Sequence, residues 1–207
     1  MRLVLASGSP RRRELLTQLG WPFVVLRPDI DETAFPAEPA DQYVARLSRE
    51  KALAVATEVD DWIIAADTTV ALDTAILGKP ANNAEATMML NQLRDREHMV
   101  YTGLTVRVDN RFILETTVTA TRVTMRNYDA TDIAQYVASG EPFDKAGGYA
   151  VQDMVFHPVA HLDGCYANVM GLPLCALAAI FDTQRMALPK VITCRANSGH
   201  CIAEPAV

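Results

Sequence analysis

The segment between positions 98 and 125 limits most strongly what this chain can fold into. Its two parts, MVYTGLTVRV and ILETTVTATRVTM, alternate apolar and polar residues and are rich in β-branched side chains. This pattern is typical of strands that lie half-buried in a sheet. We therefore predict two long antiparallel strands joined by a turn at Asp109 and Asn110. The preceding apolar run, WIIAADTTVAL, predicts a strand pair that is broken at its central Asp-Thr-Thr.

Helical patterns alternate with these strands along the chain. Apolar spacing and capping residues predict helices at about 10–19, 39–57 and 129–139, one capped at Asn82 or Asn83, and one after Pro173. Short strands are predicted at 3–6, at 23–26, and through Val151 and Val155. This mixture indicates an α/β fold, with a single domain of two lobes and mixed sheets flanking a deep cleft. The domain is predicted to span 1–184, and 185–207 to form a loosely ordered tail.

Charge and composition exclude several classes of partner. The chain has 207 residues, of which 50% are hydrophobic, and a net charge of -6. An acidic protein of this kind has no general affinity for nucleic acid polymers or anionic membranes. No stretch approaches the roughly 20 apolar residues of a membrane span, and the N-terminus does not resemble a signal peptide. The four cysteines are widely spaced, so we expect a cytoplasmic protein with reduced thiols.

The sequence SGSPRRR places cations where a helix ordinarily disfavours them. Ser9 can cap a helix and Pro10 suits its first position, but the helix start carries a partial positive charge. Arg11 and Arg12 are unfavourable there unless an anion lies across the turn, where free backbone N–H groups already attract phosphate. This favours a polyanion site, with solvated arginines as the alternative. Arg13 points away by the helical rotation of about 100° and is expected to be structural or exposed to solvent.

Two acidic segments are candidates for chemistry. Asp67 ends the apolar run WIIAAD, where a charge is costly unless it binds something, and ligands collect at the carboxyl ends of strands in α/β sheets. The alternative for Asp67 is a turn-forming role. Asp31 and Glu32 lie in a polar loop that is either merely solvated or functional. Two carboxylates beside a phosphate-binding turn would suit Mg²⁺.

Two lysines are weaker candidates. Lys51 lies in the predicted helix 39–57, and Lys79 lies in a Gly-Lys-Pro turn. A lysine taken alone is most often exposed on the surface. Neither the P-loop pattern GxxxxGK[ST] nor GxGxxG occurs in the chain.

Taken together, the motifs resemble a known family. LASGSPRRRELL, DETAFP, ARLSREKA, AADTTV, LGKP, DKAGGYAVQ and NVMGLPL occur in this order over nearly the whole chain apart from the tail. They resemble the Maf family of nucleoside triphosphate pyrophosphatases, and more closely its branch that acts on dTTP and UTP. The resemblance implies a fold similar to inosine triphosphate pyrophosphatases, a nucleoside triphosphate substrate and a divalent cation, Mg²⁺ or Mn²⁺. It further implies a cytoplasmic location and, in many members, a homodimer.

The same resemblance implies roles for individual residues. Asp67 would be the proton acceptor, and Glu32 would assist in placing the metal or the water, so both are candidate metal ligands. Lys51 and Lys79 would complete the catalytic set. Substrate binding and base selectivity would fall to residues of the first turn and of two later motifs: Ser7, Ser9, Arg11, Arg12, Thr68 and Gln152.

The chain departs from the family pattern at two positions. Asp153 stands after Gln152 where glycine is common, and Cys165 stands where serine is common. Two alternative functions follow from the resemblance. One is a non-catalytic nucleotide-binding regulator of septum formation, and the other is a pyrophosphatase that prefers methylated nucleotides such as 7-methyl-GTP.

Overall fold

The computed structural model describes residues 2–111, 113–186, 190–194 and 201–205. The helices are α1 (Pro10–Thr17), α2 (Ala40–Ala54), α3 (Asn83–Leu93), α4 (Ala130–Ala138), α5 (Tyr166–Met170) and α6 (Leu174–Thr183). The strands are β1 (Arg2–Ala6), β2 (Phe23–Leu26), β3 (Asp61–Leu72), β4 (Ala75–Leu77), β5 (Glu97–Val108), β6 (Ile113–Met125), β7 (Val159–Asp163), β8 (Lys190–Cys194) and β9 (Cys201–Pro205). Within the described residues, no helix is both long and apolar enough to cross a membrane.

One mixed sheet of seven strands runs through the domain. Its order is β2-β1-β3-β5-β6-β7, and β4 pairs with the far end of β3. Strand β1 runs parallel to β2 and β3, whereas the pairings of β3 with β5, β5 with β6 and β6 with β7 are antiparallel. The twelve-residue strands β3 and β5 therefore connect both ends of the domain.

The two faces of the sheet are covered differently. On one face, α1, α5 and α6 pack on one half of the sheet around Leu16, Trp62 and Phe181. On the other half of that face, α3 and α4 pack around Leu90 and Tyr128. The opposite face is covered by α2, whose apolar residues contact β1 and β3. Helices on the first face thus form two groups, which leaves a cleft between them.

Helix α2 approaches the sheet closely because of one glycine. A Cβ atom on Gly103 of β5 would lie 2.1 Å from the backbone oxygen of Val44 and 2.4 Å from its carbonyl carbon. These are backbone atoms of α2, so no side-chain rotation could relieve the overlap. Gly103 is the ladder partner of Asp67. The missing side chain therefore lets α2 descend onto the sheet directly beside Asp67.

The edge of β3 has an opening between its two neighbours. Strand β1 pairs with β3 only as far as Ala65, and β4 begins pairing at Val70. Residues 66–69 therefore have a ladder partner on β5 alone. Side chains alternate between faces along a strand, so at this opening Asp67 faces α2 and Thr68 faces the cleft. The opening lets residues from both faces of the sheet meet.

Most elements predicted from the sequence are confirmed. The α/β class with a mixed sheet, the long β5 and β6 strands, strand β2 and the N-caps at Ser9 and Asn82 appear as expected. The helix predicted at 39–57 is shorter, because α2 ends at Ala54. The predicted boundary between domain and tail stays a prediction; the described part of 185–207 includes the two-stranded pairing of β8 with β9.

Two expectations about strands were wrong. The run 61–72 is a single strand, not a broken pair, because β5 pairs with it continuously from Ile63 to Ala71 and supplies ladder partners to the central polar residues. Val151 and Val155 lie in turns, not strands. There the Asp153 carboxylate accepts the backbone N–H groups of Val155 and Phe156 at 2.9 and 2.8 Å, which folds the chain back on itself.

We predict that Gly103→Ala lowers the free energy of unfolding by about 1–3 kcal/mol or more, because the new methyl group overlaps the backbone of α2. The matched control is Gly78→Ala, since a Cβ atom there meets nothing within 4 Å. We expect the control to stay within about 0.5 kcal/mol of the parent. Urea unfolding of the three proteins measures both changes, and equal stability of the two variants would contradict the packing argument.

Candidate active site

A cavity of about 390 Å³ lies at the opening in the edge of β3. It is lined by the turn before α1, by Pro28 and Glu32 of the acidic loop between β2 and α2, by Lys51 of α2, by the turn after β4, and by the segment 144–152. The predicted site residues among its lining are Ser7, Ser9, Arg11, Arg12, Glu32, Lys51, Thr68, Lys79 and Gln152. Asp67 lies directly behind Lys51. The structure thus brings together every residue to which the family resemblance gives a role. Asp31, the other acidic candidate, is exposed, and its carboxylate accepts the backbone N–H of Thr33 at 2.9 Å.

The turn before α1 is built by its serines. The backbone N–H of Ser9 donates to Ser7 Oγ at 3.2 Å, and Ser9 Oγ accepts the backbone N–H of Arg12 at 3.4 Å. Pro10 occupies the first helical position. These contacts hold the helix start against the cavity, while Arg13 is exposed, as predicted.

Arg12 connects three walls of the cavity. Its Nε donates to the backbone oxygen of Gly171 at 2.7 Å, Nη1 donates to Ser7 Oγ at 3.2 Å, and Nη2 donates to Thr68 Oγ1 at 3.0 Å. Burial lowers the pKa of Arg12 from its ordinary value, and the Asp67 carboxylate opposes that shift. A guanidinium has five N–H donors, so two remain for a ligand.

Arg11 reaches across the cavity to the segment after α4. Its Nη1 donates to Asp144 Oδ2 at 2.9 Å, and Nη2 donates to the backbone oxygen of Asp144 at 3.1 Å. The other carboxylate oxygen of Asp144 lies 2.6 Å from Lys145 Nζ. Burial opposes ionisation of Asp144, but Lys145 and Arg11 outweigh it and lower the pKa of this carboxyl. A polyanion that binds Arg11 must therefore compete with Asp144.

The carboxylates converge on Lys51. Its Nζ lies 2.5 Å from Asp67 Oδ1 and 2.8 Å from Glu32 Oε1. Lys51 and Asp67 are both buried, at 6% exposure each. Burial opposes ionisation of Glu32, but the hydrogen bond and charge of Lys51, with Lys79 and Arg12, outweigh it and lower the pKa of Glu32. Lys51 is therefore not the surface lysine that its residue type suggested, because α2 carries it into the opening.

The loop that carries Glu32 is held in place by α2. Tyr43 Oη donates to the backbone oxygen of Glu32 at 2.9 Å. Arg46 donates to the backbone oxygen of Thr33 at 3.1 Å and to both oxygens of Glu38 at 2.7 Å. Its guanidinium also stacks 4.0 Å over the ring of Phe35. The acidic loop is thus a fixed part of the site and not a freely solvated segment.

The remaining predicted residues lie on two further segments that line the cavity. Lys79 is exposed on the turn after β4, and Gln152 is half-buried at the end of the segment 144–152. Asp153, one of the departures from the family pattern, is not in the left-handed region that favours glycine. Its carboxylate instead caps the turn after Gln152, so aspartate fulfils a structural role at this position.

Several cavity residues were not singled out from the sequence, among them two charged residues and one tyrosine. Asp144 and Lys145 form the charged wall opposite α1, and Tyr149 forms part of an apolar wall with Val70 and Val100. The motif DKAGGYAVQ contained them. However, a lysine beside an aspartate is common on surfaces, so only the fold shows that both face the cavity.

Fold and site together define an α/β protein with a cleft that suits a polyanion, in which cations and two carboxylates meet at one opening. The model of the family described as "Maf-like protein" matches residues 2–184. The chain belongs to the Maf family.

Relatives within the family are close. The chain is 48% identical over 188 residues to the dTTP/UTP pyrophosphatase of Myxococcus xanthus, covering 90% of this chain and 94% of that protein. It is 47% identical over 173 residues to the dTTP/UTP pyrophosphatase of Halalkalibacterium halodurans, with coverages of 83% and 90%. The protein of the same name from Methylobacillus flagellatus is 42% identical over 191 residues, with coverages of 91% and 95%.

Solved structures show a more distant similarity. A nucleoside-triphosphatase, or dITP/XTP pyrophosphatase, from Mycobacterium abscessus matches with a TM-score of 0.40 and 15% identity, covering 63% of this chain and 77% of that one. A HAM1 protein from Coxiella burnetii matches with a TM-score of 0.43 and 17% identity, with coverages of 62% and 74%. Similarity at this level adds nothing to the family assignment, which rests on the relatives above.

We predict that the buried histidine His98, which contacts Tyr149 of the apolar wall, makes the folded protein less stable at mildly acidic pH. His98 Nε2 lies 2.7 Å from Tyr149 Oη, and burial lowers the pKa of His98 from 6.5 to about 4. Below about pH 6.5 the unfolded chain binds a proton that the folded chain refuses until about pH 4, so stability falls as pH decreases through this window. At about 1.4 kcal/mol per pKa unit, the effect of His98 reaches roughly 2–3 kcal/mol at pH 4.5.

Urea unfolding at pH 7.5 and 4.5 measures this effect. We expect His98→Phe to lose less stability than the parent between the two pH values, although it also loses the contact with Tyr149. His161 is exposed on β7, so His161→Gln should behave like the parent. Identical pH dependence in the parent and in His98→Phe would show that His98 does not titrate as the burial requires.

Proposed function

We propose that the protein is a nucleoside triphosphate pyrophosphatase that hydrolyses dTTP and UTP to the monophosphate and pyrophosphate. The observation that carries the proposal is the opening at 66–69 of β3, where a cationic helix start faces a pair of carboxylates. This arrangement can hold a triphosphate at one end and act on one of its phosphorus atoms at the other. Relatives that are 42–48% identical and named dTTP/UTP pyrophosphatase support the substrate class.

The triphosphate is proposed to bind at the start of α1. Ser7 and Ser9 shape the turn, Arg11 and Arg12 supply charge from the helix, and Lys79 supplies it from the rim. Arg12 is the most rigid of these cations because three protein oxygens already fix its guanidinium. Preorganised charge of this kind favours the negative charge that builds on leaving pyrophosphate.

Asp67 is proposed as the proton acceptor. A water molecule attacks the α-phosphorus, a new P–O bond forms, and the bond from that phosphorus to the oxygen bridging the β-phosphorus breaks. The water proton passes to the Asp67 carboxylate, and pyrophosphate leaves with the bonding electron pair. Lys51 holds Asp67 Oδ1. In the described part of the chain no hydrogen bond engages Oδ2, which leaves that oxygen for the proton.

A divalent cation, Mg²⁺ or Mn²⁺, is proposed to complete the site through Glu32 and Asp67. The donor set fits, since both groups are oxygen ligands and both already face one positive charge on Lys51. Two carboxylates are enough for Mg²⁺, which binds through one or two carboxylates and completes its shell with water and substrate phosphates. When bound, such an ion neutralises phosphate charge and activates water.

Partners and location are extensions of this proposal. We propose a cytoplasmic homodimer, as the family resemblance implies, and no nucleic acid polymer or anionic membrane as partner, which agrees with the acidic net charge of -6. A regulator of septum formation without catalysis, or an enzyme for 7-methyl-GTP, would use the same cavity differently. Substrate assays separate these possibilities.

We predict that the purified protein with Mg²⁺ releases pyrophosphate from dTTP and UTP, and that Asp67→Asn lowers kcat by about 10²–10⁴-fold because it removes the general base. Nucleotide binding, measured by calorimetry, should persist in the variant. Asp73→Asn is the matched control, because its side chain is 74% exposed and pairs with Arg96 away from the cavity. A parent protein that binds nucleotide without turnover would favour a regulator, and preferential turnover of 7-methyl-GTP would favour the methylated substrates.

We predict that chelation with EDTA abolishes pyrophosphate release and that added Mg²⁺ or Mn²⁺ restores it. Glu32→Gln should raise the metal concentration for half-maximal activity by roughly 10-fold or more, because loss of even an indirect partner of a metal costs about 10–100-fold in affinity. Glu50→Gln is the control, since that residue pairs only weakly with Arg46 at 3.4 Å. An unchanged metal requirement in Glu32→Gln would remove Glu32 from the metal site.

A further inference from the structure

A chain of hydrogen bonds leads from the cavity into the sheet. Arg12 Nη2 donates to Thr68 Oγ1 at 3.0 Å, and Thr68 Oγ1 lies 2.9 Å from Thr102 Oγ1. Thr102 Oγ1 in turn lies 3.0 Å from the backbone oxygen of Asn168. Thr68 and Thr102 are ladder partners on β3 and β5. Thr102 is fully buried behind Thr68.

The two ends of this series of hydrogen bonds determine which atom donates in each of them. A guanidinium only donates and a backbone carbonyl only accepts, so Arg12 donates to Thr68, and Thr102 donates to Asn168. Each hydroxyl has a single proton. Because the Thr102 proton is used on the carbonyl, the Thr68 proton must point to Thr102 for their contact to be a hydrogen bond. Thr68 therefore keeps one lone pair for a ligand and has no proton to offer.

The carbonyl at the end of the chain is held firmly. Asn168 is buried, and its side-chain amide donates to the backbone oxygen of Val100 at 3.0 Å and to Thr121 Oγ1 at 2.9 Å. These bonds attach α5 to β5 and β6. The Asn168 carbonyl also accepts the backbone N–H of Gly171 at 2.9 Å. The acceptor that orients Thr102 is therefore part of the rigid framework and not of a mobile side chain.

Thr68 lies where the polar and apolar parts of the cavity meet. Arg12 contacts it on the cationic side. Val70, two residues further along the same face of β3, pairs with Val100, and both line the cavity with Tyr149. The flat apolar faces of a nucleobase suit these walls, whereas a triphosphate suits the arginines. A nucleotide in this orientation presents the edge of its base to Thr68.

We propose that Thr102 is a positioning residue that determines base specificity. By accepting the Thr68 proton, it makes Thr68 an acceptor toward the base, so the site favours a pyrimidine whose edge carries an N–H. Uracil and thymine have N3–H between two carbonyl groups. Cytosine has a bare N3 with a lone pair, which would face the lone pair of Thr68. This inference rests on the proposed function and explains its substrate class.

The test compares the ratio of kcat/KM for UTP over CTP among variants of Thr102. Thr102→Val keeps the shape and removes the acceptor, which frees the Thr68 hydroxyl to rotate and donate to cytosine. We expect the UTP/CTP ratio to fall by about tenfold, the size of one hydrogen bond, mainly through the KM for CTP. Thr102→Ser keeps the hydroxyl and should keep the parent ratio. If Thr102→Val folds poorly, Thr102→Ala also removes the hydroxyl and should show the same fall in the ratio.

Thr105→Val is the matched control. Thr105 is equally buried on the same strand, and its hydroxyl contacts Ser48 and Thr116, away from the cavity. An unchanged ratio in Thr102→Val and Thr102→Ala, or an equal fall in Thr105→Val, would overturn the proposal. Calorimetric binding of UTP and CTP in the Asp67→Asn background, with and without Thr102→Val, tests the same preference without turnover. A parent that releases no pyrophosphate would refute the proposed function, while the binding ratio would still decide the role of Thr102.

Discussion

The buried ion pair between Lys51 and Asp67 is the interaction on which the rest of the site depends. Removing two charges from water is costly, and their attraction compensates only when geometry and further hydrogen bonds are good. Here the pair gains a third partner in Glu32, at 2.8 Å from Lys51. That geometry requires α2 to lie almost against the sheet, which Gly103 permits. A glycine without any chemistry of its own thus allows the charged centre to form.

The opening in the edge of β3 explains how one strand supplies two kinds of group. Consecutive residues of a strand face opposite sides, so Asp67 and Thr68 would ordinarily belong to separate cores. Where neither β1 nor β4 pairs with β3, both sides connect to one cavity. The α2 face contributes the carboxylates and their lysine, and the cleft face contributes Arg12, Thr68 and the apolar wall. The opening therefore places charged groups and an apolar wall together in a small volume.

Local patterns predicted the elements well, and the structure places the candidate site residues close together. Ser9 and Asn82 cap helices as expected, because capping depends on residues a few positions apart. The break predicted at Asp67–Thr69 was wrong. Polar residues in an apolar run suggest a turn, but here β5 pairs with them and the strand continues. The burial of Lys51 and the presence of Asp144 in the cavity could not be predicted from the sequence either. Both depend on contacts between residues that are distant in the chain.

The sequence by itself determined the α/β class, the capped turn at the start of α1 and the family to which the chain belongs, because these are carried by short motifs and local periodicity. The tertiary structure alone decided that Lys51 bridges Asp67 and Glu32, that Asp144 competes for Arg11, and that Thr102 orients the Thr68 hydroxyl. Each of these contacts needs the exact approach of two elements, and that approach is set by packing and ladder register across the whole sheet.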